Sequence, residues 1–300
     1  MQAPPQRAFV RYETISQMHG GMGTHSFGDL IELVRQGYKV AAIPYNEQKD
    51  VSVLSLPIFQ HWVSMVPEGT VAELGCGSGF PVAHHLAHVW RSQGATRKYI
   101  GIDLSEEQIE IGKQLMAKDT DVCNFTVREM LDWCRKQRDN SVSGILALFA
   151  INHLPRNHHV ELFTQIGRIL RDGAPLLFTT QGKASEGYEV WLGGCKMFWS
   201  SFSVNWYETT LTDIGFDFIS KSKDNAQKED TYFLLYRKMP GTNPNMNIQF
   251  SPQISPHSSP AHHVGHGGLP SIMNIHQQMD TPPQSPLMNG MLLTDDQFFQ

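Results

Sequence analysis

The chain has 300 residues, a net charge of −5 and an isoelectric point near 6.3, and 40% of its residues are hydrophobic. This length suffices for one large domain or two small ones. The acidic balance disfavours a polynucleotide substrate, because nucleic-acid binding requires a basic face. We therefore expect no nucleic-acid partner.

Cysteine usage and hydropathy predict the compartment. Cys76, Cys123, Cys134 and Cys195 form no CxxC pair, so neither a disulfide framework nor a zinc site is expected. Residues 1–11 lack the apolar segment of a secretory signal. No stretch reaches the roughly 18 apolar residues that a membrane helix needs. We expect no membrane association and a cytoplasmic protein, with the nucleus as the alternative.

The composition divides the chain near Pro240. Residues 241–300 contain no lysine or arginine and are rich in Pro, Ser, His, Gln, Asn and Met, which predicts a disordered, low-complexity tail over 240–300. Five Ser/Thr-Pro dipeptides begin at Ser251, Ser255, Ser259, Thr281 and Ser285. The tail is either a target of proline-directed kinases or a neutral extension. Residues 1–56 are predicted to form an N-terminal segment with a helical cover, and residues 57–239 the globular domain.

Apolar runs and charged helical segments alternate along that domain. Strands are predicted over 70–74, 98–102, 124–128, 142–149, 174–180, 216–220 and 231–237. Helices are predicted over 80–91, from the Ser105 cap to 118, from 157 to 172, and from the Asn205 cap to 214. Strands separated by helices predict a parallel sheet with right-handed crossovers. The last two strands lack an intervening helix and are expected to be antiparallel neighbours.

A glycine-rich turn follows the first strand of the domain. Gly75, Gly77 and Gly79 occupy alternate positions, and Asp103 ends the next predicted strand. Glycine permits a positive φ and the close approach of a ligand to the backbone. In open α/β sheets, ligands bind beyond the carboxyl ends of the strands, at the switch point of strand order. Because a carboxylate there can accept hydrogen bonds from ribose hydroxyls, the pattern predicts a site for an adenosine-containing cofactor.

The spacing of the glycines distinguishes two cofactor classes. Dinucleotide-binding turns usually read GxGxxG and place a pyrophosphate at a helix N-terminus. This chain reads GxGxG, with Glu73 two residues before the first glycine. A carboxylate repels a pyrophosphate and suits a sulfonium or an α-ammonium group. The charge favours S-adenosylmethionine over NAD.

Four segments carry a family resemblance. Residues 73–79 (ELGCGSG) and 101–105 (GIDLS) resemble the first two motifs of class I S-adenosylmethionine-dependent methyltransferases. Residues 150–155 resemble the segment after their fourth strand, and residues 169–177 the run before their fifth. The resemblance covers about Tyr38 to Lys238. It implies a Rossmann-like α/β fold: a seven-stranded, mostly parallel sheet with an antiparallel last strand, helices on both faces, and S-adenosylmethionine as the cofactor.

The resemblance also implies the cofactor-binding residues, which come from the loops after the first four strands. They are Glu73, Gly75, Cys76, Gly77, Gly79, Asp103, Leu104, Glu129, Met130 and Ala150. Glu129 stands where the family often has an aspartate that meets the adenine amino group, so the chain departs from the family there. A second departure is Gly173-Ala174 in place of a Gly-Gly pair.

The acceptor side is predicted from His153 and from an insert at residues 188–200. His153 follows the fourth strand and has a side chain suited to neutral pH, so it is either the general base or a residue that only shapes the pocket. Residues predicted to line the substrate pocket are Tyr45, Trp191, Met197 and Trp199, with Tyr38 on the same cover. The alternative for the two tryptophans is ordinary packing against the sheet. His84 and His88 have helical spacing but lack a third ligand, so no metal is expected.

These observations predict transfer of a methyl group to O or N of a small organic acceptor. Residues 152–155 (NHLP) differ from the Asn/Asp-Pro-Pro-aromatic motif associated with methylation of amino groups on bases. Two alternatives remain at this point. One is a methyltransferase-like scaffold that binds a protein partner through its tail, and the other is a protein methyltransferase.

Overall fold

The computed structural model describes residues 13–14, 26–48, 51–94, 96–224 and 230–242. The predicted disorder of residues 243–300 and the Ser/Thr-Pro sites fall outside these ranges and stay predictions. Within them, every helix is too short or too polar to cross a membrane.

The elements alternate along the chain as follows. The helices are α1 (Phe27–Glu47), α2 (Pro57–Met65), α3 (Val82–Ser92), α4 (Glu106–Leu115), α5 (Met130–Arg135), α6 (His159–Ile169) and α7 (Val204–Ile214). The strands are β1 (Glu13–Thr14), β2 (Thr70–Leu74), β3 (Lys98–Asp103), β4 (Cys123–Val127), β5 (Gly144–Ala147), β6 (Pro175–Gln181), β7 (Ser185–Val190), β8 (Lys196–Ser201), β9 (Phe216–Lys223) and β10 (Thr231–Lys238).

Seven strands form the central sheet, in the order β4-β3-β2-β5-β6-β10-β9. The pairs from β4 to β6 are parallel. The final strand β10 is antiparallel to both β6 and β9. The predicted sheet is therefore confirmed. The strand order reverses between β2 and β5, which makes the carboxyl end of β2 the expected ligand position.

Helices cover both faces of this sheet, as predicted. On one face, α5, α6 and α7 pack through side chains such as Leu131, Phe163 and Leu211. On the other face, α2, α3 and α4 pack through side chains such as Trp62 and Leu86. Strands β5 and β6 are buried on both faces, which explains their continuous apolar sequence.

Several predicted boundaries differ from the structure. The predicted strand 142–149 contracts to Gly144–Ala147, and the helix predicted from 157 begins at His159 after a single 3-10 turn. Helix α4 ends at Leu115 rather than 118. Ser203, not Asn205, caps α7, because its hydroxyl accepts the Trp206 amide at 3.3 Å.

The insert after β6 forms a hairpin, which the sequence did not predict. Strands β7 and β8 pair with each other, and β1 pairs with the outer edge of β7 to make a separate three-stranded sheet. Helix α1 packs on β8 through Val34, Met197 and Phe198. The hairpin and α1 together cover residues that follow the carboxyl ends of β2, β3 and β5.

Candidate functional site

The glycine loop takes a shape that side chains would oppose. Gly75, Gly77 and Gly79 have φ values of +70°, +57° and +73°, in the left-handed region. A Cβ placed on Gly75 would lie 2.3 Å from the Cβ of Ala150. The Gly75 and Cys76 amides donate to the Ile102 carbonyl at 2.7 and 3.0 Å, which ties the loop to β3. The loop therefore lies directly against the segment that follows β5.

Asp103 links the two motifs of the predicted cofactor site. Its Oδ2 accepts the Gly77 amide at 2.7 Å and its Oδ1 accepts the Ser105 amide at 2.9 Å. A carboxylate has about four acceptor positions. Ribose hydroxyls are donors of the kind that carboxylate oxygens bind. The chemistry of this carboxylate fits the ribose of S-adenosylmethionine.

Glu73 lies beneath the loop and is 4% exposed. It accepts a short hydrogen bond from the hydroxyl of Tyr99 on β3. Burial, followed by the charge of Glu73, raises the pKa of Tyr99 well above its ordinary value. Tyr99 therefore remains the proton donor in this bond. The Glu73 carboxylate is buried next to the loop, where it adds negative potential.

Glu129 and Met130 follow β4, and Met130 lies close to the glycine loop. Both carboxylate oxygens of Glu129 accept backbone amides of α5, from Leu131 at 2.9 Å and Asp132 at 2.6 Å. Burial raises the pKa of Glu129, while these amides act in the opposite direction. Met130 approaches Gly75, since its Cε would lie 4.0 Å from a Cβ built there. Glu129 thus caps a helix in addition to its predicted cofactor role.

Helix α1 is bonded to the loop through Asn46. The Asn46 amide nitrogen donates to the Gln108 side-chain oxygen at 2.8 Å, and its Oδ1 accepts the Ser78 hydroxyl at 2.6 Å. Ser78 and Gln108 are fully buried. The Gln108 side chain therefore bonds to α1, while its backbone amide donates to the Ser105 hydroxyl at 3.2 Å and so confirms the predicted Ser105 cap. Sequence reasoning missed Asn46 because nothing local distinguishes it from other polar residues of α1.

A hydrogen-bonded pair joins α1 to the segment after β5. The Tyr38 hydroxyl lies 2.9 Å from His153 Nε2, and His153 Nδ1 lies 2.9 Å from the Phe198 carbonyl. A carbonyl only accepts, so Nδ1 carries the proton and Nε2 accepts the Tyr38 hydroxyl. Burial lowers the pKa of His153 to about 4 and raises that of Tyr38. The imidazole is therefore neutral at pH 7.

Five rings from three distant segments form an aromatic cluster next to this pair. Its members are Tyr38, Tyr45, His153, Trp191 and Trp199. The Trp191 ring centroid lies 5.5 Å from that of Tyr38 and 5.6 Å from that of Tyr45. The Trp199 and His153 centroids are 4.4 Å apart. The His153 amide donates to the Ala150 carbonyl at 3.1 Å, so the cluster adjoins the segment that packs on Gly75.

The structure places the other predicted residues near these groups. Met197 is fully buried and packs against Gly37 of α1. Leu104 packs in the cluster of side chains between α1 and the β7–β8 hairpin. Cys76 is buried, with its Sγ close to Gly101. All four cysteines are free thiols. Among the residues that the structure describes, no three His, Cys, Asp or Glu side chains converge on a common metal position.

Comparison with known proteins matches residues 71–173 to the family described as "Methyltransferase domain". A curated relative, the malonyl-[acyl-carrier protein] O-methyltransferase of Brevibacillus brevis, is 26% identical over 113 residues. The matched segment spans 38% of this chain and 38% of that relative. The similarity is thus confined to about two fifths of either protein.

Solved structures share the fold. A structure described as the DhpI–SAH complex has a TM-score of 0.54 at 18% identity, and the match covers 72% of this chain and all of that one. The 1,6-didemethyltoxoflavin-N1-methyltransferase of Burkholderia thailandensis has a TM-score of 0.53 at 10% identity, with 73% and 93% covered. The matched family, the sheet order and the position of the glycine loop agree. Residues 71–173 therefore match a methyltransferase domain, and the central sheet has the Rossmann-like fold of the methyltransferase structures. The matched domain and the structures solved with S-adenosylhomocysteine imply S-adenosylmethionine as the cofactor.

Proposed function

We propose that the protein transfers a methyl group from S-adenosylmethionine to O or N of a small organic acceptor. One observation carries the proposal. Helix α1 and the β7–β8 hairpin meet over the segment after β5, where Tyr38 bonds to His153 beside the glycine loop. The acceptor would enter a site closed by three segments of the same chain. Such enclosure favours a small molecule over a polymer.

The cofactor would be held by the glycine loop and by Asp103. S-adenosylmethionine supplies a methyl group already activated by a positive sulfur. The residues of the chain then have to align the acceptor and exclude water. Glu73, Glu129, Met130 and Ala150 surround or support the loop and remain proposed contacts.

His153 is proposed as the acceptor-side base or as a residue that shapes the pocket. As a base it would accept a proton at Nε2, which now accepts the Tyr38 hydroxyl. Its pKa of about 4 keeps it unprotonated at pH 7 but also makes it a weak base. The substitution His153→Ala separates the two roles. A base predicts a loss of turnover that is largest near neutral pH and shrinks as the pH falls toward 4, where the wild-type imidazole becomes protonated. A shaping role predicts a higher KM for the acceptor at every pH.

Calorimetry of the full chain with S-adenosylhomocysteine tests the cofactor. Micromolar binding is expected, and the absence of binding by folded protein would refute the proposal. Acceptors would then be sought by incubating labelled S-adenosylmethionine with fractions of small metabolites and with intact proteins, followed by mass spectrometry. Label confined to proteins would favour the protein methyltransferase alternative.

A scaffold that acts through its tail is the second alternative, and deletion of residues 243–300 tests it. Thr242 must stay, because its hydroxyl donates to the Met239 carbonyl at 2.8 Å and it packs on Gly215. The enzyme proposal predicts unchanged turnover after the deletion. Loss of a protein partner with turnover intact would show that the tail serves a separate binding role. A cytoplasmic location, with the nucleus as the alternative, is part of the same proposal and rests on the free thiols.

A further inference from the structure

We infer that the aromatic cluster selects an amine as the methyl acceptor, over a carboxylate or a phosphate. This inference rests on the proposed function and names the acceptor class for it. The cluster is the set defined above: Tyr38, Tyr45, His153, Trp191 and Trp199. The faces of tyrosine and tryptophan rings attract ammonium groups, most strongly for tryptophan.

The charges around the cluster have the sign that suits a cation. Apart from burial, the groups that raise the Tyr38 pKa are Tyr45, Asp103 and Cys195, in that order. Asp103 is the one of these that is anionic at pH 7, and it gives the cluster a negative potential. His153 is neutral at that pH and adds no positive charge to oppose it.

Two basic side chains near the acceptor side, Lys196 on β8 and Arg156 after β5, have other partners. The Lys196 ammonium lies over the Tyr188 ring, 4.3 Å from its centroid. The Arg156 guanidinium lies 5.5 Å from the Phe202 centroid and its Nε is 3.3 Å from Glu186. A carboxylate or phosphate acceptor would need such a group to replace its hydration. The contacts of both cations are instead with Tyr188, Phe202 and Glu186, none of which belongs to the cluster.

A tertiary amine fits the reaction without a strong base. The lone pair of its nitrogen forms the new N–CH₃ bond as the S–CH₃ bond breaks, and the bonding electrons of that bond pass to sulfur. An amine that binds as the ammonium first loses its proton to solvent, and the free amine then reacts. The product is a quaternary ammonium, and no proton leaves during the methyl transfer itself. This agrees with the weakly basic imidazole of His153.

Three probes of matched shape test the inference on the full chain saturated with S-adenosylhomocysteine. They are choline, its neutral carbon isostere 3,3-dimethyl-1-butanol, and the anion 3,3-dimethylbutanoate. Choline is expected to bind about 5- to 30-fold more tightly than the neutral isostere, with the anion weakest. Any order in which choline is not the tightest overturns the inference. Failure of S-adenosylhomocysteine to bind would instead refute the proposed function, so the two failures are distinguishable.

Two variants test whether the preference for choline depends on the aromatic cluster. Trp191→Ala should remove most of the preference for choline and leave S-adenosylhomocysteine affinity within about twofold. The matched control is Trp206→Ala, because Trp206 stacks on Phe202 at 3.7 Å, away from the cluster. The control should keep the preference. If Trp191→Ala lowers the affinity for S-adenosylmethionine but not for S-adenosylhomocysteine, the cluster binds the sulfonium and the amine assignment is wrong.

Discussion

The cofactor side and the acceptor side of the site are built in different ways. On the cofactor side, Gly77 and Asp103 are 26 residues apart and lie at the ends of paired strands. On the acceptor side, Tyr38 and His153 are 115 residues apart, and the Phe198 carbonyl is 45 residues further on. The first side depends on backbone conformation within one βαβ unit. The second depends on the packing of a helix and a hairpin that lie outside the central sheet. Substitutions on the two sides should therefore fail in different ways.

The largest effect is expected from Gly75→Ala. The new Cβ would meet the Ala150 Cβ at 2.3 Å and would occupy a φ of +70°. The strain and the overpacking together cost about 2–5 kcal/mol of unfolding free energy. We expect a lower denaturation midpoint and at least about 30-fold weaker binding of S-adenosylhomocysteine, corresponding to about 2 kcal/mol.

Gly173→Ala is the control for this prediction. Gly173 has a φ of +76° with nothing within 4 Å of an added Cβ, so it isolates the conformational term. It should lower stability by about 1–2 kcal/mol and leave cofactor affinity unchanged. Equal affinities of the two variants for S-adenosylhomocysteine would contradict the expectation that the close contact between the loop and Ala150 matters for cofactor binding.

Asp103→Asn should weaken the cofactor side next. The amide places a donor where the carboxylate accepts the Gly77 and Ser105 amides, so one of these bonds is lost. Hydrogen bonds to a charged group contribute about 1.5–3 kcal/mol, which predicts a loss of about 10- to 100-fold in cofactor affinity. Calorimetry measures it, with Asp217→Asn at the exposed Arg237 pair as the control. An unchanged affinity would remove Asp103 from the proposed site.

Acid should destabilise the acceptor side. Burial lowers the pKa of His159 to about 4, as it does for His153. Both bind protons on unfolding between about pH 4 and their unfolded value near 6.5. Stability is therefore lost as the pH falls through that window, by up to about 1.4 kcal/mol per pH unit for each histidine.

Urea unfolding at pH 7, 6 and 5 measures this loss. The glutamine in His159→Gln can still donate to the Leu154 carbonyl, which lies 2.7 Å from His159 Nε2 in the wild type. This variant should have a smaller slope of unfolding free energy against pH, because the contribution of one histidine is removed. Identical slopes for the wild type and His159→Gln would show that burial does not lower the pKa of His159, because the folded and unfolded states would then bind its proton equally.

The smallest effect is expected from Asn46, whose hydrogen bonds join helix α1 to the glycine loop. Asn46→Ala removes the bonds from α1 to Ser78 and Gln108, at a cost of about 1 kcal/mol. We expect faster hydrogen exchange of the α1 amides and faster release of S-adenosylhomocysteine. Asn124→Ala, at an exposed position on β4, is the control. Unchanged release would mean that α1 does not retain the cofactor.

The difference between the two sides also explains why the central sheet can be predicted from the sequence and the acceptor side cannot. The seven strands were placed within a few residues, because buried strands leave continuous apolar runs and the glycine turn has a fixed order. The hairpin β7–β8 was missed because its strands mix glycine, lysine and aromatic residues without clear alternation. Tyr38 could be assigned to a cover, but its bond to His153 depends on tertiary packing that no local pattern encodes.

The bridge through Asn46 has a consequence for the rate of catalysis. Ser78 and Gln108 are completely buried while Asn46 bonds to both. If the reaction product leaves past α1, each catalytic cycle includes one opening of that helix. Opening of such covers takes place on microsecond to millisecond timescales and limits the turnover of many enzymes. A pre-steady-state burst, one equivalent of product per protein followed by slower steady turnover, is the kinetic form that this step would give.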